Sequence, residues 1–231
     1  MSLELSLVLP CYNEAEGLPG AVLPLMAAVG SLGVPFEVIL VDNGSVDATR
    51  AAIDRLAGED PRIRRMDVAV NRGYGRGVLA GLAAARGSRV AFLGADGQVP
   101  ADQVAAVLRQ ALAEPPRTLV KALRRSRGDG WGRRTQSWLY NRLFGLLLPV
   151  RSRDLNATPK VLHAADLAVL KLASEDWFLD PECMIRAAEE GFRVVEVPVD
   201  FLARRAGSSH VRASPVLEFL GNLWRWMARR R

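Results

Sequence analysis

Residues 7–18 read LVLPCYNEAEGL. An aliphatic run stops at Pro10, and Tyr12, Asn13 and Glu14 follow at once. A short apolar run bounded by a proline reads as a buried strand. A strand end that presents a ring, an amide and a carboxylate reads as the rim of a ligand site. Outward from this point, residues 3–9, 36–41 (FEVILV), 66–70 (MDVAV), 89–93 (RVAFL) and 118–123 (TLVKAL) all read as strands. The intervals carry helical spacing. Leu18, Val22, Leu25, Met26 and Val29 mark a helix within 14–30, and Ile53 and Leu56 mark another that begins near Asp47. Residues 76–86 and 101–113 supply two more. Strands alternating with helices predict βαβ units, hence an α/β fold with a mainly parallel central sheet flanked by helices. Ligands of such sheets bind beyond the carboxyl ends of the strands. That rule brings Pro10–Glu14, Asp42–Ser45 and Gly94–Gln98 to one edge.

The second half is less regular. Residues 124–134 (RRSRGDGWGRR) read as a loop, 135–148 as a helix apolar on most sides, and 193–201 as a strand. Residues 215–231 place Val216, Leu220, Leu223, Trp224 and Met227 on one helical face. The 231 residues suit one large domain or two small ones, and no linker long enough to separate domains is present. Charged residues make up 24%, the net charge is +6 and the pI is about 10.0, a balance that favours an anionic partner. Cys11 and Cys183 have no framework spacing and predict free thiols. The amino-terminal residues lack a signal-peptide pattern and no run of 18 apolar residues occurs, so the expectation is a soluble or surface-bound chain. Nucleic acid is a poor match, because the arginine cluster has Trp131 as its one aromatic.

Three segments after predicted strands carry chemistry. In VDNGSVDAT (41–49), Asp42 and Asn43 can hydrogen-bond a base or ribose, or the segment is a plain strand–turn–helix cap in which Gly44 and Ser45 turn and Ser45 or Asp47 caps. NRGYGRGVLAG (71–81) has the wrong spacing for a dinucleotide-binding turn, yet its glycines allow close approach of backbone to a phosphate or ribose. In FLGADGQVP (92–100), Asp96 and Gln98 occupy alternate positions and so point to one side of a strand end. They read either as oxygen ligands for a divalent cation or as an ordinary Asp-Gly turn.

In this order, PCYNE, VDNGSVDAT, NRGYGRG and LGADGQ resemble glycosyltransferase family 2, inverting enzymes of the GT-A fold. The polyprenyl-phosphate branch, similar to dolichyl-phosphate mannose and glucose synthases, is matched further by Arg124, Arg127 and Asp129, by Ser137 and Asn141, by Asp154 and Lys160, by Asp180 and Glu182, and by Arg204, Gly207 and Ser209. The resemblance implies a GT-A domain over residues 1–212, followed by an amphipathic helix over 213–231. It implies transfer of a sugar from a nucleoside-diphosphate sugar to a polyprenyl phosphate. A hydroxyl (glycan) acceptor, or a non-catalytic sugar-nucleotide-binding homologue, are the alternatives.

By the same resemblance Pro10, Tyr12, Asn13 and Glu14 would line the nucleotide pocket, with Tyr12 against the base. Asp42, Asn43, Gly44, Ser45, Gly75 and Ala95 would surround it. Asp96 and Gln98 would hold Mg²⁺ or Mn²⁺ on the diphosphate, with Asp96 and Asp154 the catalytic carboxylates. Asp154 would serve as base or orienting group, or form an ion pair with Lys160. Arg124, Arg127, Arg133, Ser137, Arg204 and Ser209 would grip the acceptor phosphate or the leaving diphosphate, guanidinium forks being suited to phosphate oxygens. An anionic membrane surface, and a membrane subunit or a second copy of the chain, are the implied partners, at the cytoplasmic face. Three residues depart from the family pattern: Asn43 replaces the second acid of a pair, Gly94 the first Asp of a D-x-D metal motif, and His210 a lysine.

Overall fold

A computed structural model of the chain describes residues 2–127, 152 and 154–202, with Ser126 and Arg127 described in backbone alone. The helices expected over 135–148 and 215–231 lie outside the described residues, as do Arg133, Ser137, Arg204, Ser209 and His210.

Seven strands form one sheet: β1 (Leu5–Cys11), β2 (Phe36–Asp42), β3 (Ile63–Asp67), β4 (Arg89–Phe92), β5 (Thr118–Arg127), β6 (Lys160–His163) and β7 (Arg193–Phe201). Their order across the sheet is β3-β2-β1-β4-β6-β5-β7. The helices are α1 (Leu18–Gly30), α2 (Thr49–Glu59), α3 (Tyr74–Ala84), α4 (Ala101–Ala113), α5 (Ala164–Leu170) and α6 (Leu179–Glu189). Strands β3, β2, β1 and β4 run parallel, as the alternation predicts, and β5 pairs parallel with β7. The antiparallel exception is β6, which lies between β4 and β5.

Alternation along each strand divides the core. Leu7 and Leu9 of β1, Val38 and Leu40 of β2, and Val120 of β5 face α1, α2 and α4. Val8, Ile39, Val41 and Phe92 face α3, α5 and α6. Both faces are covered, so the inner strands are continuous apolar runs and are legible as such.

Three strands differ from expectation. β3 is IRRMD, not MDVAV: Ile63 alone is fully buried, while Ala69 and Val70 are exposed. An edge strand with one covered position reads as polar, so the neighbouring apolar run is the misleading signal. β5 extends through Arg127, so Arg124–Arg127 belong to a strand and not to a loop. β6 is four residues long and opens on a buried lysine, which hides it from a hydrophobicity reading.

Glycines let α3 and its neighbours close. A β-carbon on Gly75 would stand 2.3 Å from the Ser174 carbonyl oxygen, and one on Gly81 would stand 2.3 Å from Val8 Cγ1. Gly75 thus has a packing reason for its identity, the close approach being that of the 173–176 backbone. We expect Gly75→Ala to lower stability by about 3 kcal/mol, because rigid backbone must shift. Gly20→Ala, with nothing within 4 Å of the new methyl, should leave the Tm unchanged or slightly raised. Thermal unfolding of both variants checks this.

Candidate active site

The order of the strands reverses between β1 and β4, and in such sheets the crevice beyond the strand ends opens there. Pro10 lies on that crevice. Its neighbour Cys11 accepts from Asn43 N on the β2 side, and Val8 accepts from Leu93 N on the β4 side, so the nitrogen of Pro10 faces β4. The β1–β4 pairing ends at Val8 and Phe92. Proline therefore sits where no ladder bond is required of it.

The loops after β1 and β2 are joined by their own side chains. Asn13, at φ +52°, accepts from Val46 N through Oδ1 (2.9 Å), and its own N donates to Ser45 Oγ (3.2 Å). Glu14 N donates to Thr49 Oγ1 (2.8 Å), and Ala15 N donates to Asp47 Oδ2 (3.3 Å). Asp42 Oδ1 accepts from Ser45 N (3.0 Å) and closes the turn at Gly44. Asp42, Asn43, Asn13 and Ser45 are brought together, but Asn13 and Ser45 use these groups on one another's loops. The N-cap of α2 is Ala48, which makes no side-chain cap; Asp47, one residue before it, accepts from Thr49 N through Oδ1 (2.9 Å) instead of filling the cap position itself. Burial opposes, as the largest single effect, but four donors together hold the Asp47 carboxyl below its usual range.

Asn43 is 2% exposed and donates through Nδ2 to Gly73 O (2.9 Å). An aspartate there would place a carboxylate against that carbonyl, so the amide has a structural reason. Its Oδ1 is buried and has no hydrogen-bond partner among the described residues. A buried acceptor left unmatched is a costly feature that a ligand donor would relieve. Pro10 and Asn43 also meet at α3, since a β-carbon on Gly77 would fall 2.9 Å from Pro10 Cβ and 3.1 Å from Asn43 Cγ.

Asp96 and Gln98 follow β4, which ends at Phe92, and Gly97 between them is left-handed at φ +62°. They occupy a turn rather than a strand, so the alternate-position argument that aimed both at one side does not apply. Asp96 Oδ1 accepts from Gln98 N (3.2 Å). The Gln98 amide points away to β7, donating through Nε2 to Leu202 O (3.1 Å), and Leu202 N returns a bond to Gln98 O (2.8 Å). A β-carbon on Gly94 would lie 3.5–3.8 Å from the Asp96 carboxyl group, so the missing first acid of the D-x-D pattern would have stood beside it. Among the described residues no three His, Cys, Asp or Glu side chains form a metal cluster. The donor set fits a hard cation that takes one protein carboxylate and completes its shell from substrate phosphates. Ala95 is buried beside this turn.

Beneath the crevice lies a charge network. Asp154 accepts from Arg124 through both carboxylate oxygens, Nη2 donating to Oδ1 at 2.6 Å, and the Arg124 guanidinium stands 4.9 Å from the Phe201 ring. The expected Asp154–Lys160 pair is therefore replaced. Lys160, with no exposed surface, pairs with Asp180 and donates to Ala157 O (3.2 Å). Burial raises the Asp180 carboxyl above its usual range, with the Lys160 charge opposing. Glu182 Oε2 accepts from Ala173 N (3.0 Å) and Ser174 N (2.8 Å). Lys121, also fully buried, donates to Asp154 O (2.6 Å), Ala122 O (2.8 Å) and Glu196 Oε1 (3.4 Å), and Ser152 Oγ donates to the same Glu196 oxygen (2.6 Å). Arg127 is described in backbone only. Lys121, Ser152 and Glu196 escape a motif reading. Their signal is a lone lysine inside the apolar run TLVKAL. Cys11 and Cys183 are free and buried, and burial pushes both thiols upward, Cys183 to about 12.

The model of the family described as Glycosyl transferase family 2 matches residues 6–167. The chain belongs to glycosyl transferase family 2. One curated relative of this family 2 chain is the undecaprenyl-phosphate 4-deoxy-4-formamido-L-arabinose transferase of Edwardsiella ictaluri (strain 93-146), 31% identical over 206 residues. The match covers 88% of the chain and 62% of that relative, so the chain spans less than two thirds of the relative's length. Among solved structures, the mannosyltransferase PcManGT from Pyrobaculum calidifontis in complex with GDP-Man and Mn²⁺ is 20% identical with a TM-score of 0.64, over 90% of this chain and 59% of that one. Glucosyl-3-phosphoglycerate synthase from Mycobacterium tuberculosis, in complex with Mn²⁺, UDP and phosphoglyceric acid, is 20% identical with a TM-score of 0.65, over 96% and 75%. The fold of this family 2 chain is the GT-A fold.

Burial pushes the Lys121 ammonium down from 10.5 to about 8, the Lys160 charge adding to the effect and Glu196 and Asp154 opposing it. Between these two values the unfolded chain holds a proton that the folded chain has released, so this site's contribution to stability rises with pH across that window and is flat below it. We expect wild type to gain on Lys121→Met, by on the order of 2 to 3 kcal/mol, as pH rises across the window. Denaturant unfolding of both proteins at stepped pH checks this; a constant difference is the contrary result.

Proposed function

We propose that the chain transfers a sugar from a nucleoside-diphosphate sugar to a polyprenyl phosphate. The observation that carries the reading is the crevice at the β1–β4 reversal, with the Tyr12–Glu14 and Asp42–Ser45 loops on one side and Asp96 on the other. The undecaprenyl-phosphate relative supports the acceptor class. In this reading Tyr12 and Asp42 face the base and ribose, and the buried Asn43 Oδ1 faces a ligand donor. Asp96 is the residue that would hold Mg²⁺ or Mn²⁺, which supplies charge neutralisation to the leaving diphosphate. An oxygen of the acceptor phosphate forms the new bond to the anomeric carbon, with inversion. The bond from that carbon to the diphosphate breaks, and its electron pair leaves with the nucleoside diphosphate.

The acceptor preference follows from chemistry. A phosphate monoester is already anionic near neutral pH, its second pKa being about 6, so no proton need be removed. A hydroxyl acceptor needs a base. The three carboxylates that the sequence offers for that role are engaged: Asp154 by Arg124, Asp180 by Lys160, and Glu182 by two backbone amides. Arg124 orients Asp154, and its part toward the acceptor is through that pair. Arg127, Arg133, Arg204, Ser137 and Ser209 complete the anion site in this proposal. The excess of basic residues, the 1–212 domain with its terminal helix over 213–231, and a place at the cytoplasmic face of an anionic membrane, with a partner subunit or second copy, belong to the same reading. Among the described residues no helix is long and apolar enough to cross a membrane.

A thermal-shift series with UDP, GDP and their hexose conjugates, with and without Mn²⁺, tests the donor half. At ligand concentrations near 100 Kd a matching donor should raise the Tm by about 5 °C. Asp96→Asn should remove the Mn²⁺-dependent part, and Gly94→Asp should increase it. Radiolabelled sugar recovered in the organic phase with undecaprenyl phosphate tests the acceptor half. No shift with any nucleotide, or label that never enters the lipid, overturns the respective half.

A further inference from the structure

The segment between α5 and α6 has no regular secondary structure, yet it is fixed along its length. Ala173 N and Ser174 N donate to Glu182, a side chain only 2% exposed. Arg76 N donates to Glu175 O (2.8 Å), the Arg76 guanidinium pairs with the Glu175 carboxylate (3.1 Å), and Asp176 Oδ1 accepts from Phe178 N (2.9 Å). Gly73 and Gly75 of the glycine-rich motif open space for this backbone, as their would-be β-carbons fall 2.6 Å from Glu175 O and 2.3 Å from Ser174 O. The product of all these contacts is one arrangement. Trp177 lies flat on Tyr74, ring centroids 4.7 Å apart and planes within 4°. One indole face is covered by tyrosine, and the residue is nevertheless 48% exposed.

The stack stands beside the crevice. Gly73, next to Tyr74, accepts from Asn43 Nδ2 (2.9 Å), and a β-carbon on Gly77 would fall 2.9 Å from Pro10 Cβ, so α3 begins against the ends of β1 and β2. Burial first, and then the Asp180 and Asp96 charges, push the Tyr74 hydroxyl above its ordinary range. A rigid, outward indole takes a flat or apolar face. Three are available in the proposed reaction: base, sugar and prenyl chain. The base belongs with Tyr12 and Asp42 on the β1–β2 side. A prenyl chain needs a continuous apolar lining, whereas the ion pair of Arg76 with Glu175 stands next to Trp177. Around Trp177 the neighbours in sequence are Glu175 and Asp176, with Arg76 across from them. A ring edged by carboxylates and a guanidinium is suited to a sugar, whose C–H face stacks while its hydroxyls hydrogen-bond.

We propose that Trp177, held on Tyr74 by the glycine-packed 173–177 segment, is a stacking platform for the sugar ring of the nucleotide sugar. The inference rests on the donor reading above and adds to it a residue that separates sugar from bare nucleotide. Titration calorimetry with Mn²⁺ on the full chain, using UDP against UDP-glucose and GDP against GDP-mannose, gives the ratio of conjugate to bare-diphosphate affinity. In Trp177→Ala that ratio should fall about three- to ten-fold while affinity for the bare diphosphate holds, and Trp177→Phe should retain part of it. Loss of both affinities together in Trp177→Ala, with Trp177→Phe unchanged in the ratio, overturns the proposal, as does an unchanged ratio in both variants. A wild-type chain that binds the diphosphates without preferring either conjugate also overturns it. Wild-type chain that binds no diphosphate at all overturns the donor reading itself, and this proposal with it.

Discussion

Two ammonium groups with no exposed surface stand on neighbouring strands, Lys121 of β5 opposite Lys160 of β6. Like charges in a protein interior are prohibitive unless each is matched, and removing one partner of a buried pair costs more than the pair contributes. Here the matching is done by three different parts of the chain. Asp180 comes from α6, Glu196 from β7, and the carbonyls of Ala157 and Asp154 from the segment before β6. The position of α6, the pairing of β5 with both neighbours and the placement of the Arg124–Asp154 pair are therefore one electrostatic problem with one solution. A core of leucines in the same place would tolerate several packings; two cations with five acceptors do not.

The departures from the family pattern take on a physical meaning in this frame. Asn43 is an amide because its neighbour is a carbonyl, that of Gly73. Gly94 leaves the Asp96 carboxylate beside an empty side-chain position. The first change fixes a loop, whereas the second leaves Asp96 as the single carboxylate of its turn in the proposed donor site. They are of different kinds.

How much could be read in advance depended on whether a residue's surroundings were local. β1, β2, β4, α1 and α4 lie between two covered faces, so their apolar periodicity suffices to find them. The crevice segments follow from strand order, and the loop contacts of Asn13, Asp42, Ser45 and Asp47 are set within a few residues of each other or between adjacent strand ends. The partners of the buried charges were not legible. Lys160 is 20 residues from Asp180 and Lys121 is 75 from Glu196, and nothing in the spacing selects Asp180 over Asp154 for Lys160. Gln98 failed for a related reason. The period-two argument presumes an extended backbone, and a left-handed Gly97 removed that premise. Gly75 was seen to permit a close approach, but the approaching backbone came from 99 residues downstream.

Pro10 has a consequence of its own. Two parallel strands side by side tend to zip as far as their amides allow; here β1 runs on to Cys11, while β4 and its pairing with β1 both stop at Phe92. An imino nitrogen facing β4 denies that seam its next donor. Among the described residues the β1–β4 ladder thus stops with the bond from Leu93 N to Val8 O, and the parting of the two strands is fixed and not something to be opened. The readiness of the site is written into the covalent chemistry of a single ring.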